Sequence, residues 1–173
     1  MLKLYICQIC GEPHLAEERP TDCQFCGAPG KFLGMAQDYS KLWGVDLTEQ
    51  EEKDMKATLD LEVNATAYYA DVADTQEKYS KYNRLFKQLK RVESEHAEVA
   101  AKFLGVDEPE MEGEKSKGTI EADLERTREL ETNAMGMYRD FMARAENAEV
   151  KKFYEALIHA EDGHRELAED ELK

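Results

Sequence analysis

Four cysteines form two Cys-x-x-Cys-Gly knuckles, Cys7-Gln8-Ile9-Cys10-Gly11 and Cys23-Gln24-Phe25-Cys26-Gly27, with twelve residues between Cys10 and Cys23. This is the spacing of a tetrathiolate metal site. The glycines suit tight turns that aim backbone N–H groups at sulfur. Four thiolates satisfy Zn²⁺ or a single Fe, and the spacing leaves both metals open. Two disulfides are the alternative, but no secretory signal is expected from the start MLKLYICQIC, so no oxidising compartment supports them. Leu4, Tyr5, Ile9, Phe25 and Phe32 are expected to form a small apolar cover over the metal. His14 reads as a solvated loop residue, because four cysteines already fill a tetrahedral site. A module this short buries too little to fold by its core alone, so metal binding must supply much of its folding energy.

The second set of chemistry-bearing residues is acidic. Thr58 to Ala65 (TLDLEVNA) matches Thr127 to Ala134 (TRELETNA), and at the same 69-residue offset Tyr69 matches Tyr138 and Asp71 matches Asp140. The second half of each copy carries Glu-x-x-His, as Glu93-Ser94-Glu95-His96 and Glu161-Asp162-Gly163-His164. On a helix, positions i and i+3 share a face, so each carboxylate points the same way as its imidazole. Glu62 and Glu93 are 31 residues apart and Glu131 and Glu161 are 30 apart. Across two antiparallel hairpins that spacing sets all four Glu at one level, each within its helix's apolar stripe. Four carboxylates buried together are tolerable only if protonated or neutralised. Two divalent cations carry the matching +4, and two neutral His complete the shell. This matches a known pattern, the ferritin-like dinuclear carboxylate site, with one Glu from each of two helices and Glu-x-x-His from the other two.

These residues need long helices to position them. Residues 1–40 hold all four Cys and three of the four Pro, whereas the chain beyond Leu47 is rich in Glu, Ala, Leu and Lys. The pattern predicts a small loop-rich four-cysteine metal module over 1–40 and a four-helix bundle over 41–173, a mainly α fold. Helices are predicted over 48–76, 79–104, 119–146 and 148–171. Thr48-x-x-Glu51 starts the first as a capping box, and Gly105 stops the second. Short turns make the first and last pairs antiparallel hairpins. The thirteen residues from Val106 to Gly118 span roughly 43 Å when extended. That exceeds the roughly 37 Å of a 25-residue helix, so the connection can run the length of the bundle. A net charge of −15, with 38 acidic against 23 basic residues, argues against nucleic acid or an anionic membrane as partner. No apolar run approaches a membrane span. A mean hydropathy of −0.71 with 42 % hydrophobic residues fits a soluble, folded protein, expected in the cytoplasm.

With both motifs in one chain, the sequence resembles the rubrerythrin family. The residues that carry the resemblance are Cys7, Cys10, Cys23, Cys26, Glu62, Glu93, His96, Glu131, Glu161 and His164. The rubredoxin-like module comes first, as in "reverse" rubrerythrins. The resemblance implies a non-haem di-iron enzyme that reduces hydrogen peroxide to water in protection against oxidative stress. It implies that Glu62 and His96 bind one iron, that Glu131 and His164 bind the other, and that Glu93 and Glu161 bridge. The Cys-bound iron would relay electrons from an external redox donor protein, whereas zinc there would carry none. It further implies a homodimer, with the module often serving the partner's site. Ala134 stands where many members carry an additional Glu, and Gln24 where rubredoxins usually have Pro. The six-residue shell keeps two alternatives open: ferroxidase or iron handling with dioxygen as oxidant, and a non-catalytic electron carrier.

Other positions carry weaker expectations. Tyr69 and Tyr138, two turns beyond their Glu, are expected either to hydrogen-bond ligand carboxylates or to be core residues. Thr58 and Thr127 carry a weaker form of the first reading. His159 reads as structural, and Lys81, Arg84, Lys87 and Arg91 as a solvated basic face. Trp43 is placed to dock the small module on the bundle.

Overall fold

The computed structural model describes residues 1–110 and 113–173. Strand β1 (Lys3–Cys7) pairs antiparallel with β2 (Pro13–Ala16) on one side and β3 (Leu33–Met35) on the other, giving the order β2-β1-β3. Each knuckle closes on itself: the Gly11 N–H donates to the Cys7 carbonyl at 2.8 Å and the Gly27 N–H to the Cys23 carbonyl at 2.9 Å. Both glycines hold positive φ, 87° and 70°, a region in which a Cβ is penalised. Tyr5, Ile9 and Phe32 are buried beside the cysteines, joined by Ala28 and Leu33. Leu4, expected in that cover, lies on the outer side of β1 and is 41 % exposed, because alternate strand residues face opposite ways.

Four helices follow: α1 (Glu49–Thr75), α2 (Lys81–Leu104), α3 (Ile120–Arg144) and α4 (Ala148–Glu171). Side-chain caps set the starts of the first three. Thr48 and Glu51 form the predicted reciprocal capping box, and Ser80 and Thr119 each accept one backbone N–H at their helix starts. The second helix begins two residues later than predicted because Tyr79 takes φ 69° and Ser80 caps. Gly105, in the left-handed region at φ 66°, ends α2 as predicted. Glu51 also reaches the α3–α4 turn, accepting from the backbone N–H groups of Glu146 and Asn147 at 2.8 and 2.7 Å. Burial raises its pKa, but these hydrogen bonds outweigh that and hold it at about 2.

Helices α1 and α2 pack as one hairpin and α3 and α4 as the other. The connection between them lies along α1. A Cβ on Gly113 would sit 2.5 Å from the Ala67 Cβ and 2.9 Å from the Asn64 carbonyl oxygen. Farther on, the Ser116 N–H donates to Asp71 at 2.8 Å and the Lys117 N–H to Asp123 at 2.7 Å. Among the described residues no helix is long and apolar enough to cross a membrane.

Two apolar layers stack along the bundle. One contains Tyr68, Tyr69, Val72, Phe86, Leu89, Leu124 and Ala168. The other contains Leu59, Ala97, Tyr138, Phe153 and Leu157 and continues without interruption into Cys7, Cys10, Cys23 and Cys26. The small module and its own chain's bundle therefore share one core. Trp43 sits between them, with the Lys102 Nζ 4.7 Å from its ring centroid. His159 bonds Asp22 at 2.9 Å and Lys31 pairs with Glu155, both across the same junction. Backbone approaches backbone at Gly27, where a Cβ would lie 2.8 Å from the Ala160 Cβ on α4. Replacing Gly27 with Ala therefore combines a strained φ, worth about 1–2 kcal/mol, with a clash at the junction. The expected result is a melting temperature lower by about 3–8 °C, measured calorimetrically on metal-loaded protein.

Candidate functional site

Where each helix passes from one apolar layer to the other it carries one acid: Glu62 between Leu59 and Tyr69, Glu93 between Leu89 and Ala97, Glu131 between Leu124 and Tyr138, and Glu161 between Leu157 and Ala168. The heptad-like burial that makes these helices pack thus brings the four carboxylates to one level. All four are at most 4 % exposed, and His96 is fully buried.

The imidazoles organise the cluster into two overlapping sets. His96 Nδ1 lies 3.0 Å from Glu93 Oε2, 3.2 Å from Glu161 Oε1 and 3.6 Å from Glu62 Oε2. His164 Nδ1 lies 3.0 Å from Glu93 Oε1, 3.1 Å from Glu161 Oε2 and 3.6 Å from Glu131 Oε1. Glu93 and Glu161 each turn one oxygen to each histidine, while Glu62 and Glu131 belong to one set apiece. Glu93 Oε1, both Glu161 oxygens and His164 Nδ1 are buried with no hydrogen-bond partner among the described residues. Buried polar atoms left unpaired are costly. Lone pairs that converge without bonding one another fit cations placed between them, so the donor set suits two iron ions.

Protonation follows from the same crowding. Burial, then the neighbouring Glu161 charge, raises the Glu62 pKa well above the carboxylate range. The same causes, with Glu93 added, bring Glu131 to about 8. Burial also acts against ionised Glu93, but the His164 and His96 charges outweigh it and its pKa falls. Burial lowers the affinity of His96 and His164 for protons, yet the surrounding carboxylates prevail and raise both.

Two tyrosines cross between the hairpins. Tyr69 of α1 donates its hydroxyl to Glu131 of α3, and Tyr138 of α3 donates to Glu62 of α1. Burial and the accepting carboxylates raise both phenol pKa values, keeping them as O–H donors. The hydrogen-bonding alternative for these residues is therefore the one realised. Thr58 and Thr127 do not do the same. Their hydroxyls bond back to the carbonyls of Asp54 and Asp123 one turn earlier, both at 2.9 Å, a common option for hydroxyls inside helices.

The four sulfurs lie within 4.8 Å of one another and are free of disulfides. The Cys7–Cys26 and Cys10–Cys23 separations are 3.8 and 3.7 Å. A tetrahedron with metal–sulfur bonds of ~2.3 Å has edges of ~3.8 Å, so the cluster suits one Fe or Zn. His14 corrects the sequence reading. It is 7 % exposed rather than solvated, its Nε2 lies 3.3 Å from Cys23 Sγ, and its ring meets Phe25 edge to face. The β1–β2 register, Tyr5 opposite His14, turns it inward.

The two clusters meet through His96. Its Nε2 lies 2.8 Å from the Cys26 carbonyl oxygen. A carbonyl only accepts, so Nε2 carries a proton, and a cation that replaced the Nδ1 proton would find the Nδ1 lone pair aimed at the carboxylates, the tautomer a metal ligand needs.

Fold and site together define a four-helix-bundle protein with a dinuclear carboxylate centre and an attached tetrathiolate centre. The rubrerythrin family model matches residues 55–172, well over half of the chain, and the chain belongs to the rubrerythrin family. The N-terminal four-cysteine cluster fits the reverse module order. No curated protein and no solved structure gave a significant match.

The tyrosine contacts and the raised acids can each be tested. Tyr69→Phe and Tyr138→Phe each remove one donor to a carboxylate, so each is expected to weaken iron binding about 10–100-fold, read by competition with a chelator. The second test concerns pH. Glu131 binds its proton more tightly folded, at about 8, than its ordinary 4.5. The stability it lends the metal-free protein is full below pH 4.5 and lost as pH rises through about 8. Raised Glu62, His96 and His164 act in the same direction. Metal-free protein should therefore melt lower at about pH 9 than at about pH 6, and saturating metal should abolish the difference.

Proposed function

We propose that the protein is a non-haem di-iron peroxidase that reduces hydrogen peroxide to water with electrons relayed through its tetrathiolate iron. The single observation that carries the reading is the His96 bridge, one side chain facing the carboxylates and hydrogen-bonded to the backbone of Cys26. A site suited to two-electron chemistry is thereby wired to a site suited to one-electron transfer. Bound there, a ferrous pair would supply the two electrons for O–O cleavage and would stabilise the developing oxide charge.

In this reading Glu62 and His96 would hold one iron, Glu131 and His164 would hold the other, and Glu93 and Glu161 would serve both. Tyr69 and Tyr138 fix the two terminal carboxylates and keep a proton at each phenol oxygen. The apolar layers on either side exclude water from the cluster. An electron from the thiolate module would reach the acids on the His96 side, since that imidazole touches the module. Hydrogen peroxide and an external redox donor protein are the partners, with a homodimer as the assembly.

Ferroxidase or iron handling is the second reading. It is favoured by Ala134, which adds no carboxylate to the six-residue ligand shell beside Glu131. The deciding experiment is stopped-flow reoxidation of the reduced thiolate chromophore by hydrogen peroxide. The expected result is fast reoxidation that slows at least ~100-fold in Glu93→Ala and His164→Ala, with the chromophore intact. Unchanged reoxidation in those variants excludes the bundle site. Ferrous iron oxidised and retained far beyond the three metal sites of one chain supports iron handling instead.

A further inference from the structure

We propose that the protein also reduces organic hydroperoxides, whose alkyl or aryl group seats in the cleft that opens on the carboxylates between α1 and α3. The proposal rests on the peroxidase reading above and names a substrate class for the same site.

The cleft measures about 410 Å³, and all four site carboxylates form part of its lining. A water occupies ~30 Å³ in the liquid, and hydrogen peroxide about twice that, so the space greatly exceeds what the smallest peroxide fills. Leu61 and Ala65 of α1 and Leu130 and Ala134 of α3 give it an aliphatic lining beside the acids, with Asn64, Asn133 and Tyr68 also in the lining. These four aliphatic side chains offer hydrogen peroxide no hydrogen bond, but each methylene buried against them strengthens binding roughly fourfold. Ala134 stands one turn beyond Glu131, is 2 % exposed and lines the cleft. Any longer side chain there would occupy the space directly above the acids. Glu114 and Arg126 also line the cleft and are paired at 2.7 and 3.1 Å, so the guanidinium is neutralised rather than left to select an anion. The occupant is thus an uncharged molecule with one polar end, aimed at the acids, and one apolar end.

The reaction is ROOH + 2H⁺ + 2e⁻ → ROH + H₂O. The O–O bond breaks, the proximal oxygen leaves as the alcohol and the distal one as water, with protons from solvent. Two ferrous ions give one electron each and become ferric, and the external donor restores them through the tetrathiolate site.

The test has two arms. In the first, protein loaded with zinc at both centres, which transfers no electrons, is titrated calorimetrically with 2-phenylpropan-2-ol, the product of cumene hydroperoxide. Binding is expected and should weaken at least tenfold in Ala134→Phe. Ala65→Phe, filling the cleft from the opposite wall, should do the same, and circular dichroism verifies that both variants are helical. In the second arm, reduced iron-loaded protein is mixed with cumene hydroperoxide or hydrogen peroxide. The ratio of the two rate constants should fall at least tenfold in each variant. No alcohol binding, or a ratio unchanged in both variants while hydrogen peroxide is still reduced, overturns the cleft proposal alone. Wild-type protein inert to both peroxides overturns the peroxidase reading itself.

Discussion

The burial of four carboxylates in the middle of an apolar bundle is the constraint on which the structure depends. An isolated ionised acid is expensive to remove from water, and like charges in contact raise that cost. The metal-free chain answers with protons, visible in the raised Glu62 and Glu131 and in histidines that prefer to be charged. Cations answer it better, because the two oxygens of Glu93 and of Glu161 already diverge toward separate histidines. The neutralising species thus belongs to the stability of the bundle as much as to its chemistry.

The duplicated hairpin explains how the acids are held in place. Side chains on a helix lean toward its N-terminus. Tyr69 and Tyr138 stand two turns past their own Glu, so each leans back to the level of the acids. They come from opposite layers, Tyr69 from the one with Phe86 and Tyr138 from the one with Phe153. Each crosses to the other hairpin, so neither hairpin completes its own half of the site.

Most of this was legible in the sequence because it depends on short-range periodicity. The 3.6-residue stripe, the Thr48 capping box and the 69-residue offset predict helix ends to within about two residues and bring together the ten residues now found in two clusters. What escaped depends on contacts that no local pattern encodes. His14 lies inward and Leu15, the more apolar neighbour, outward at 71 % exposure. Strand pairing with β1 decides that, against the hydropathy of the pair. The hydroxyls of Thr58 and Thr127 have a closer acceptor in their own helix than any carboxylate. The seating of the small module rests on Gly27 against Ala160, Asp22 with His159 and Lys31 with Glu155. Each of those pairs is more than a hundred residues apart in the chain.

That seating breaks the symmetry of the duplicated site. His96 and His164 occupy equivalent places in the repeat, yet it is His96 that has its outer nitrogen against the Cys26 carbonyl. The tautomer and orientation of His96 are therefore set by the thiolate module, and its position depends on how closely the second knuckle approaches α4. A Cβ at Gly27 would push that knuckle outward by the very contact that brings Cys26 to His96. The glycine after the second Cys-x-x-Cys thus has two separate tasks: it closes the turn around the sulfurs, and it sets the distance between the two metal centres.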